Sequence, residues 1–219
     1  MRDVSGAGEG SGARWLALLV VLAGLVCAGA LCASVGAADA ETRTEQAVKK
    51  TVRGPDGILG KPRFGQAKVT RYAKSKGATK YTLRAIPIYY ELAPKVGIAP
   101  DVLIAQSMLE TGYGKYGGDA KPWNMAGIKK GGIVGDEPED FEQPRTARAG
   151  VRMHINHMAA YTNMKTLGKP HDRYYDARRA QESRGYWIRR VSQLGNGVWA
   201  TDPEYSTKLK RILSEMSRA

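Results

Sequence analysis

Hydrophobic residues recur at intervals of three and four along much of the chain after residue 57. This spacing places them on one face of a helix. It predicts helices near 65–76, over 82–96 with Pro87 in the first turn, from Pro100 to Gly112, from Pro144 to about Tyr161, near 182–194, and after Asp202-Pro203-Glu204. The glycine-rich residues 127–142 predict a small hairpin. The pattern therefore indicates an α+β domain that is mostly α.

The first 40 residues follow a different pattern. Residues 15–38 carry no charged side chain; the first part of this run is strongly apolar, and its last part is rich in small residues and leads to Ala38-Asp39-Ala40. These features predict that residues 1–40 are a signal peptide cleaved after Ala40, although the uncharged run is also long enough to be an N-terminal membrane anchor. Residues 41–56 are polar and predict a basic linker, which leaves 57–219 as the folded domain. We expect an exported protein, secreted or associated with the cell wall, or anchored to the outer face of the cytoplasmic membrane.

Cysteine and charge content narrow the class of protein. Both cysteines, Cys27 and Cys32, lie in the apolar N-terminal run, so the predicted domain has no disulfide, thiolate metal site or cysteine nucleophile. The net charge is +13, and residues 41–85 contain 12 basic and three acidic residues, whereas residues 136–150 contain two and five. This distribution indicates polyanionic surroundings. No basic-aromatic nucleic-acid motif is present, so we expect no nucleic-acid partner.

Glu110 is the leading candidate for a catalytic residue. It lies at the C-terminal end of the predicted apolar helix that stops at Gly112. Carbonyl dipoles at that end raise the pKa of a carboxyl, and Tyr113 and Trp123 are candidates to add apolar cover. A carboxyl that stays protonated near neutral pH can act as the general acid at a glycosidic bond. The pattern alone also fits an ordinary solvated glutamate at a helix end.

The segment LIAQSMLETGYG, followed by WNMAGIK, resembles the signature of the glucosaminidases of glycoside hydrolase family 73. In that family a helix with the pattern A-Q-x-x-x-E-[ST]-G-[WY]-G precedes N-x-x-G-I-K. Three further segments resemble parts of the same family in the same order: ILGKPRFGQAKVTRY, FEQPRTARAGVRMHINHMAAY and LGNGVWATDPEY. The resemblance runs from Ile58 to the C-terminus. It implies a lysozyme-like helical domain with a small β-hairpin beside the catalytic groove.

The resemblance also implies a function. It indicates an endo-β-N-acetylglucosaminidase that hydrolyses the β-1,4 bond between N-acetylglucosamine and N-acetylmuramic acid in peptidoglycan, with Glu110 as general acid. Asn124 would lie across the groove, and Tyr205 would project toward the acid. The substrate-binding candidates are Gln106, Tyr113, Trp123, Asn124, Trp199 and Tyr205. Of these, Tyr113, Trp123 and Trp199 are candidates to stack on sugar rings, and each equally fits ordinary core packing.

Two departures from the family pattern affect the predicted site. Tyr113 and Ala126 stand where the family usually has Trp and Phe, which reduces the aromatic bulk in the groove. Many members also carry a Glu-Tyr pair, proposed as the second catalytic carboxylate, and this chain reads GDEPEDFEQP in that region. Glu142 is our first candidate for the second carboxylate. Alternatively, the N-acetyl carbonyl of the substrate attacks the anomeric carbon, and no second carboxylate is needed.

Two other functions fit the sequence. A lytic transglycosylase also uses one essential glutamate on a lysozyme-like fold, and it would release anhydro-sugar ends. A non-catalytic cell-wall-binding module would use the positive charge, but it would not need a carboxyl at position 110.

We expect no metal and no cofactor. His154, His157 and His171 could suggest metal ligands, but their spacing also fits helix-core and groove-lining roles, and this route of glycoside hydrolysis requires no metal. The expected partners are peptidoglycan glycan strands and, through the basic N-terminal segment, anionic wall polymers. We expect the protein to be a monomer.

Overall fold

The computed structural model describes residues 56–219, so the predicted signal segment and all but the last residue of the predicted linker lie outside the described residues. The described part is mostly helical, which confirms the expected class. Its helices are α1 (Gln66–Ser75), α2 (Lys80–Leu92), α3 (Pro100–Thr111), α4 (Ala147–Thr162), α5 (Asp172–Arg184) and α6 (Tyr205–Arg218). Short 3₁₀ turns occur at Ala93–Val96, Pro138–Asp140 and Val191–Gln193.

Helix α3 lies at the centre of the fold. It packs against α2 and α6, while α2 also contacts α1 and α4, and α4 contacts α5. Every residue of α3 from Pro100 to Met108 is buried, including Gln106 and Ser107, which the sequence pattern places on a separate polar face. A helix that is enclosed on all sides shows no amphipathic pattern. This enclosure fixes α3 along its length and holds Glu110 in its last turn.

The ends of α3 and the buried face of α6 agree with the sequence. Gly112 ends α3 in the left-handed conformation (φ 55°), and its N–H donates to the carbonyl of Met108. Glycine adopts this conformation without the steric penalty that a Cβ brings. In α6 the buried residues are the five that the helical spacing predicts, namely Tyr205, Leu209, Ile212, Leu213 and Met216.

Helix α2 begins earlier than predicted, at Lys80, and Pro87 lies in its interior. The hydroxyl of Thr79 caps the helix by accepting from the N–H of Tyr81 at 3.3 Å. An interior proline removes one helical hydrogen bond and crowds the preceding turn. Because proline is usually found in the first turn of a helix, the sequence predicts a start for α2 that is too late.

The fifth predicted helix is wrong in position. The sequence predicts a helix near 182–194, whereas α5 spans Asp172–Arg184 and ends at Gly185, which has φ 74°. Most of α5 is charged or polar, and only Tyr174, Ala177 and Gln181 are buried. The helix therefore lacks the apolar period that identifies a helix in a sequence.

The predicted hairpin is reduced to one antiparallel bridge between Lys129 and Phe141. The N–H of Lys130 donates to the carbonyl of Asp140 at 2.8 Å, and the N–H of Glu142 donates to that of Ile128 at 2.9 Å. Within residues 56–219, strand pairing is limited to this bridge and two other isolated ones. No helix in the same range combines the length and apolar character needed to cross a membrane.

Candidate active site

Two side chains hold one oxygen of the Glu110 carboxyl. The indole N–H of Trp199 donates to Oε1 at 2.8 Å, and the hydroxyl of Tyr205 donates to the same atom at 2.5 Å. Helix α6 supplies Tyr205, and the loop before α6 supplies Trp199. No residue of the described chain hydrogen-bonds to Oε2. The second oxygen is therefore left for a proton or for a ligand.

Burial raises the pKa of Glu110 above its ordinary value, and the hydrogen bonds from Tyr205 and Trp199 partly oppose that rise. Burial penalises the charged form, while a donor to a carboxylate favours it. The burial effect is the larger one, so the site favours a protonated carboxyl. Tyr205 thus projects toward Glu110 as the family resemblance implies, and Trp199 adds a second donor.

Trp199 is fixed by the rings behind it. Its ring centroid lies 5.0 Å from that of Tyr161, 5.1 Å from that of His157 and 5.8 Å from that of His154. It also packs against a small apolar cluster that includes Ala126. These contacts orient the indole N–H toward Glu110, and stacking of Trp199 on a sugar ring stays a prediction.

Gln106 lies beneath Glu110, one helical turn earlier in α3, and it is fully buried. Its Nε2 donates to the hydroxyl of Tyr205 at 2.9 Å, and its Oε1 lies 3.0 Å from Nε2 of His154. Gln106 thus contacts the groove residue Tyr205 from below. The sequence allows His154 a helix-core or groove-lining role but does not connect it to Gln106, although a polar residue on the apolar face of HINHMAAY is a usable signal.

Asn124 is fully buried and bonded to two segments of backbone. Its Nδ2 donates to the carbonyls of Ile128 at 2.8 Å and Glu142 at 3.0 Å, and its Oδ1 accepts from the N–H of Ile128 at 2.9 Å. Both amide hydrogens are used inside the protein, so Asn124 positions the loop around residues 128 and 142. Direct contact of Asn124 with a sugar stays a prediction.

The other two aromatic candidates contact neighbouring tyrosines. The hydroxyl of Tyr113 lies 3.1 Å from that of Tyr72 on α1. The ring of Trp123 meets that of Tyr81 edge-on, with 4.9 Å between centroids. In the described chain, neither side chain hydrogen-bonds to the Glu110 carboxyl. Their predicted roles in sugar binding remain untested.

Glu142 lines a half-open cavity of about 280 Å³ together with Arg152, Lys169 and His171. Burial raises the pKa of Glu142, and the nearby charge of Asp172 adds to this rise. A raised pKa reduces the fraction of carboxylate that can act as a base near neutral pH.

The three histidines of the predicted domain have different hydrogen-bond partners. Nε2 of His171 lies 3.1 Å from Nδ1 of His157, whereas His154 contacts Gln106 and Tyr89. In residues 56–219, no three His, Cys, Asp or Glu side chains are grouped so that they could hold a metal ion.

Residues 86–218 match the family model described as Glucosaminidase, mannosyl-glycoprotein endo-beta-N-acetylglucosaminidase. The chain belongs to the glucosaminidase family. It is therefore a glycoside hydrolase, and the matched range contains Glu110 and every contact to its carboxyl described above.

A curated relative of this glucosaminidase is the peptidoglycan hydrolase FlgJ of Pseudomonas aeruginosa, strain PAO1. The two sequences are 25% identical over 152 residues, which covers 64% of this chain and 37% of the relative. The chain thus spans just over a third of the relative's length. No solved structure matches the chain significantly.

Replacing Trp199 with Phe should raise the pKa of Glu110. Phe keeps much of the ring packing but removes the N–H donor to Oε1. A hydrogen bond to a charged group contributes about 1.5–3 kcal/mol, so the basic limb of a pH profile of kcat/KM should move up by about one pH unit. Trp187→Phe is the matched control, because Trp187 packs on Arg178. An unchanged basic limb in Trp199→Phe would contradict this account.

Proposed function

We propose that this glucosaminidase hydrolyses the β-1,4 bond between N-acetylglucosamine and N-acetylmuramic acid in peptidoglycan, with Glu110 as the general acid. The observation that carries the proposal is the asymmetry of the Glu110 carboxyl. One oxygen accepts from Trp199 and Tyr205, while the other has no partner in the described chain. A buried carboxyl with one free oxygen suits proton donation to a glycosidic oxygen.

The reaction proceeds as follows in the route that we favour. The proton on Oε2 of Glu110 passes to the glycosidic oxygen as the bond to the anomeric carbon breaks. The N-acetyl carbonyl oxygen of the substrate bonds to that carbon and forms a cyclic intermediate. Water then opens this intermediate and gives its proton to the carboxylate of Glu110, which restores the acid. The product keeps its anomeric configuration.

The second route uses Glu142 as a general base that takes a proton from the attacking water, and it inverts the configuration. Two other acids of the segment are engaged elsewhere: Asp136 pairs with Lys129 at 2.7 Å, and the side chain of Asp140 accepts from the N–H of Glu137 at 3.0 Å. Glu142, which is partly buried, is our first candidate for such a base.

Amide substitutions in this segment distinguish the two routes. The set is Asp136→Asn, Glu137→Gln, Glu139→Gln, Asp140→Asn and Glu142→Gln, each made singly. We expect every variant to keep activity within about tenfold of the unchanged protein, because the substrate supplies the nucleophile, whereas loss of a positioned acid or base costs roughly 10²–10⁴-fold. Proton NMR of the first product should show retained configuration. A single position as damaging as Glu110→Gln, together with inversion, would identify a base and reject the acetamide route.

Digestion of purified peptidoglycan tests the proposed activity. Mass spectrometry of the released fragments should show new reducing ends on N-acetylglucosamine. Anhydro-sugar ends would instead identify a lytic transglycosylase, and binding without new ends would identify a wall-binding module. Both of those outcomes contradict the proposal.

We also propose that the protein is exported and held on anionic wall polymers by its basic N-terminal region. In the described part of that region, five exposed cations form no ion pair: Lys61, Arg71, Lys74, Lys80 and Arg84. Exposed charges bind polyanions in a salt-dependent way, because mobile ions screen them.

Salt should release the protein from intact walls. We expect retention in a wall-pelleting assay to fall as NaCl rises through roughly 0.1–0.5 M. Replacing Arg71, Lys74 and Lys80 with Gln should weaken retention at low salt. A matched triple substitution of Arg178, Arg179 and Arg184 on α5 should weaken it less. Equal retention by all three proteins at every salt concentration would rule out this electrostatic contact.

A further inference from the structure

A row of hydrogen-bonded side chains connects the core of the domain to the Glu110 carboxyl. Tyr89 on α2 lies 2.7 Å from Nδ1 of His154 on α4, whose Nε2 lies 3.0 Å from Oε1 of Gln106 on α3. Nε2 of Gln106 reaches Tyr205 at 2.9 Å, and Tyr205 reaches Glu110 at 2.5 Å. The four residues behind Glu110 are all buried, with at most 4% of the surface of each exposed.

The direction of each hydrogen bond in this row is determined by its neighbours. Because Nε2 of Gln106 donates to Tyr205, its Oε1 must accept, so Nε2 of His154 carries the hydrogen. Burial lowers the pKa of His154 to about 3, so the ring is neutral near neutral pH. A neutral ring has one N–H, and Nδ1 of His154 therefore accepts from the hydroxyl of Tyr89. Every donor in the row points toward Glu110.

We propose that His154 is a positioning residue that selects which oxygen of Glu110 carries the catalytic proton; this rests on the proposed role of Glu110. The N–H of His154 fixes the amide of Gln106 with its nitrogen toward Tyr205. The hydroxyl of Tyr205 then has Glu110 as its acceptor. Oε1 of Glu110 stays an acceptor, and the proton is kept on Oε2.

The reversed row is the state that His154 prevents. If the amide of Gln106 turned over, its oxygen would accept from Tyr205, and the hydroxyl of Tyr205 would no longer donate to Glu110. The acid proton would then move to Oε1, where it is bonded to Tyr205 and withheld from a substrate. This reversal requires His154 to accept at Nε2. Its proton would then lie on Nδ1, and the hydroxyl of Tyr89, which donates to Nδ1 in the row above, would have to accept instead.

The other ionisable groups near Glu110 do not provide this selection. Besides Tyr205 on α6, Tyr161 on α4 interacts electrostatically with Glu110. Burial raises the pKa of Tyr161 to about 12, so its hydroxyl is neutral near neutral pH. Arg173 and Arg184 of α5 act on Tyr161. None of these three is hydrogen-bonded to Glu110 in the described chain. The asymmetry between the two carboxyl oxygens therefore comes from Trp199 and from the row that ends in Tyr205.

Titration of Glu110 by carbon-13 NMR in the full-length protein tests this role without using catalysis. His154→Leu frees the amide of Gln106 to turn, so the midpoint of Glu110 should rise by about one pH unit, the effect of losing one donor to a carboxylate. Gln106→Met should leave the midpoint near that of the unchanged protein, because Tyr205 then has only Glu110 as an acceptor. The double variant should have a midpoint near that of the unchanged protein, because no amide oxygen is left to accept from the hydroxyl of Tyr205 in place of Glu110.

A merely structural role for His154 predicts a different result. The titration midpoint of Glu110 in the double variant would then differ from that of the unchanged protein at least as much as in His154→Leu. An unchanged midpoint in His154→Leu, or a raised midpoint that Gln106→Met does not correct, overturns the proposal. The basic limb of kcat/KM on peptidoglycan should follow the same order among the three variants.

The unchanged protein supplies a second measurement if a variant does not fold. Nitrogen-15 NMR distinguishes the two neutral tautomers of a histidine, and the chain has only three histidines, so substitution of His157 and His171 assigns the signal of His154. We expect the Nε2–H form between about pH 5 and 8, and the Nδ1–H form would reject the proposal. Failure of the proposed function would appear separately, as an active Glu110→Gln variant with the NMR results unaffected.

Discussion

Glu110→Gln should abolish hydrolysis of peptidoglycan while leaving the fold intact. The amide keeps the shape of the carboxyl and its oxygen can accept from Trp199 and Tyr205, but it has no acidic proton to give. Loss of a positioned general acid lowers activity by roughly 10²–10⁴-fold. The measurement is the rate of release of new reducing ends from purified walls. Glu139→Gln, at an exposed position, is the comparison variant and should keep activity within about tenfold of the unchanged protein.

The stability of Glu110→Gln separates a chemical effect from a folding defect. Burial raises the pKa of Glu110 in the folded state above its unfolded value, so its contribution to stability is complete below about pH 4.5 and is lost as the pH rises through the folded pKa. At neutral pH the variant should therefore be at least as stable as the unchanged protein. Residual activity within about tenfold of the unchanged protein, with normal stability, would exclude Glu110 as the essential acid.

Gly150→Ala should destabilise the domain, although alanine favours helices over glycine by about 1 kcal/mol. A Cβ on Gly150 in α4 would lie 1.8 Å from the carbonyl oxygen of Trp123, because the backbone of Trp123 packs directly against the backbone of α4 at this glycine. Overpacking of this kind costs about 1–3 kcal/mol or more, so we expect a net loss of about 2 kcal/mol in the free energy of unfolding. Urea denaturation measures it. Activity should fall as well, because Asn124 follows Trp123 directly.

Arg152→Ala is the control for that substitution. Arg152 is an exposed residue of the same helix that forms no ion pair in the described chain, and its loss should change stability by no more than about 0.5 kcal/mol. If Gly150→Ala were as stable as Arg152→Ala, the close approach of the Trp123 backbone to α4 would be incorrect.

The parts of the fold that the sequence predicted well are those with an apolar period or a clear stop signal. Helix α6 has five buried residues at helical spacing, and α3 ends where Gly112 requires. The sequence pattern predicts α5 in the wrong place because most of its residues are charged or polar. Contacts with α4 stabilise this helix instead of an apolar period. The sequence places Pro87 in a first turn because that is where proline is usually found in helices. The sequence does not show that the surrounding helices hold α2 together around a proline in its interior.

The site was predictable to a similar degree. The family signature identifies Glu110 and leads to Tyr205, which the structure brings to the carboxyl. It names Gln106 as a candidate but does not reveal the hydrogen bonds of Gln106 to Tyr205 and His154, because sequence spacing gives no partner on another helix. A buried polar residue on an apolar face shows only that some partner exists, since such groups are nearly always hydrogen-bonded.

The hydrogen bonds of Asn124 have a consequence for how members of this family diverge. One side chain ties the backbone at Ile128 to that at Glu142, so the two ends of the intervening segment stay together whatever its length. Lengthening a loop whose ends are held costs little, about 0.6 kcal/mol for each doubling. Residues 129–141 can therefore change in length at little cost in stability, while Asn124 keeps the flanking residues Ile128 and Glu142 together.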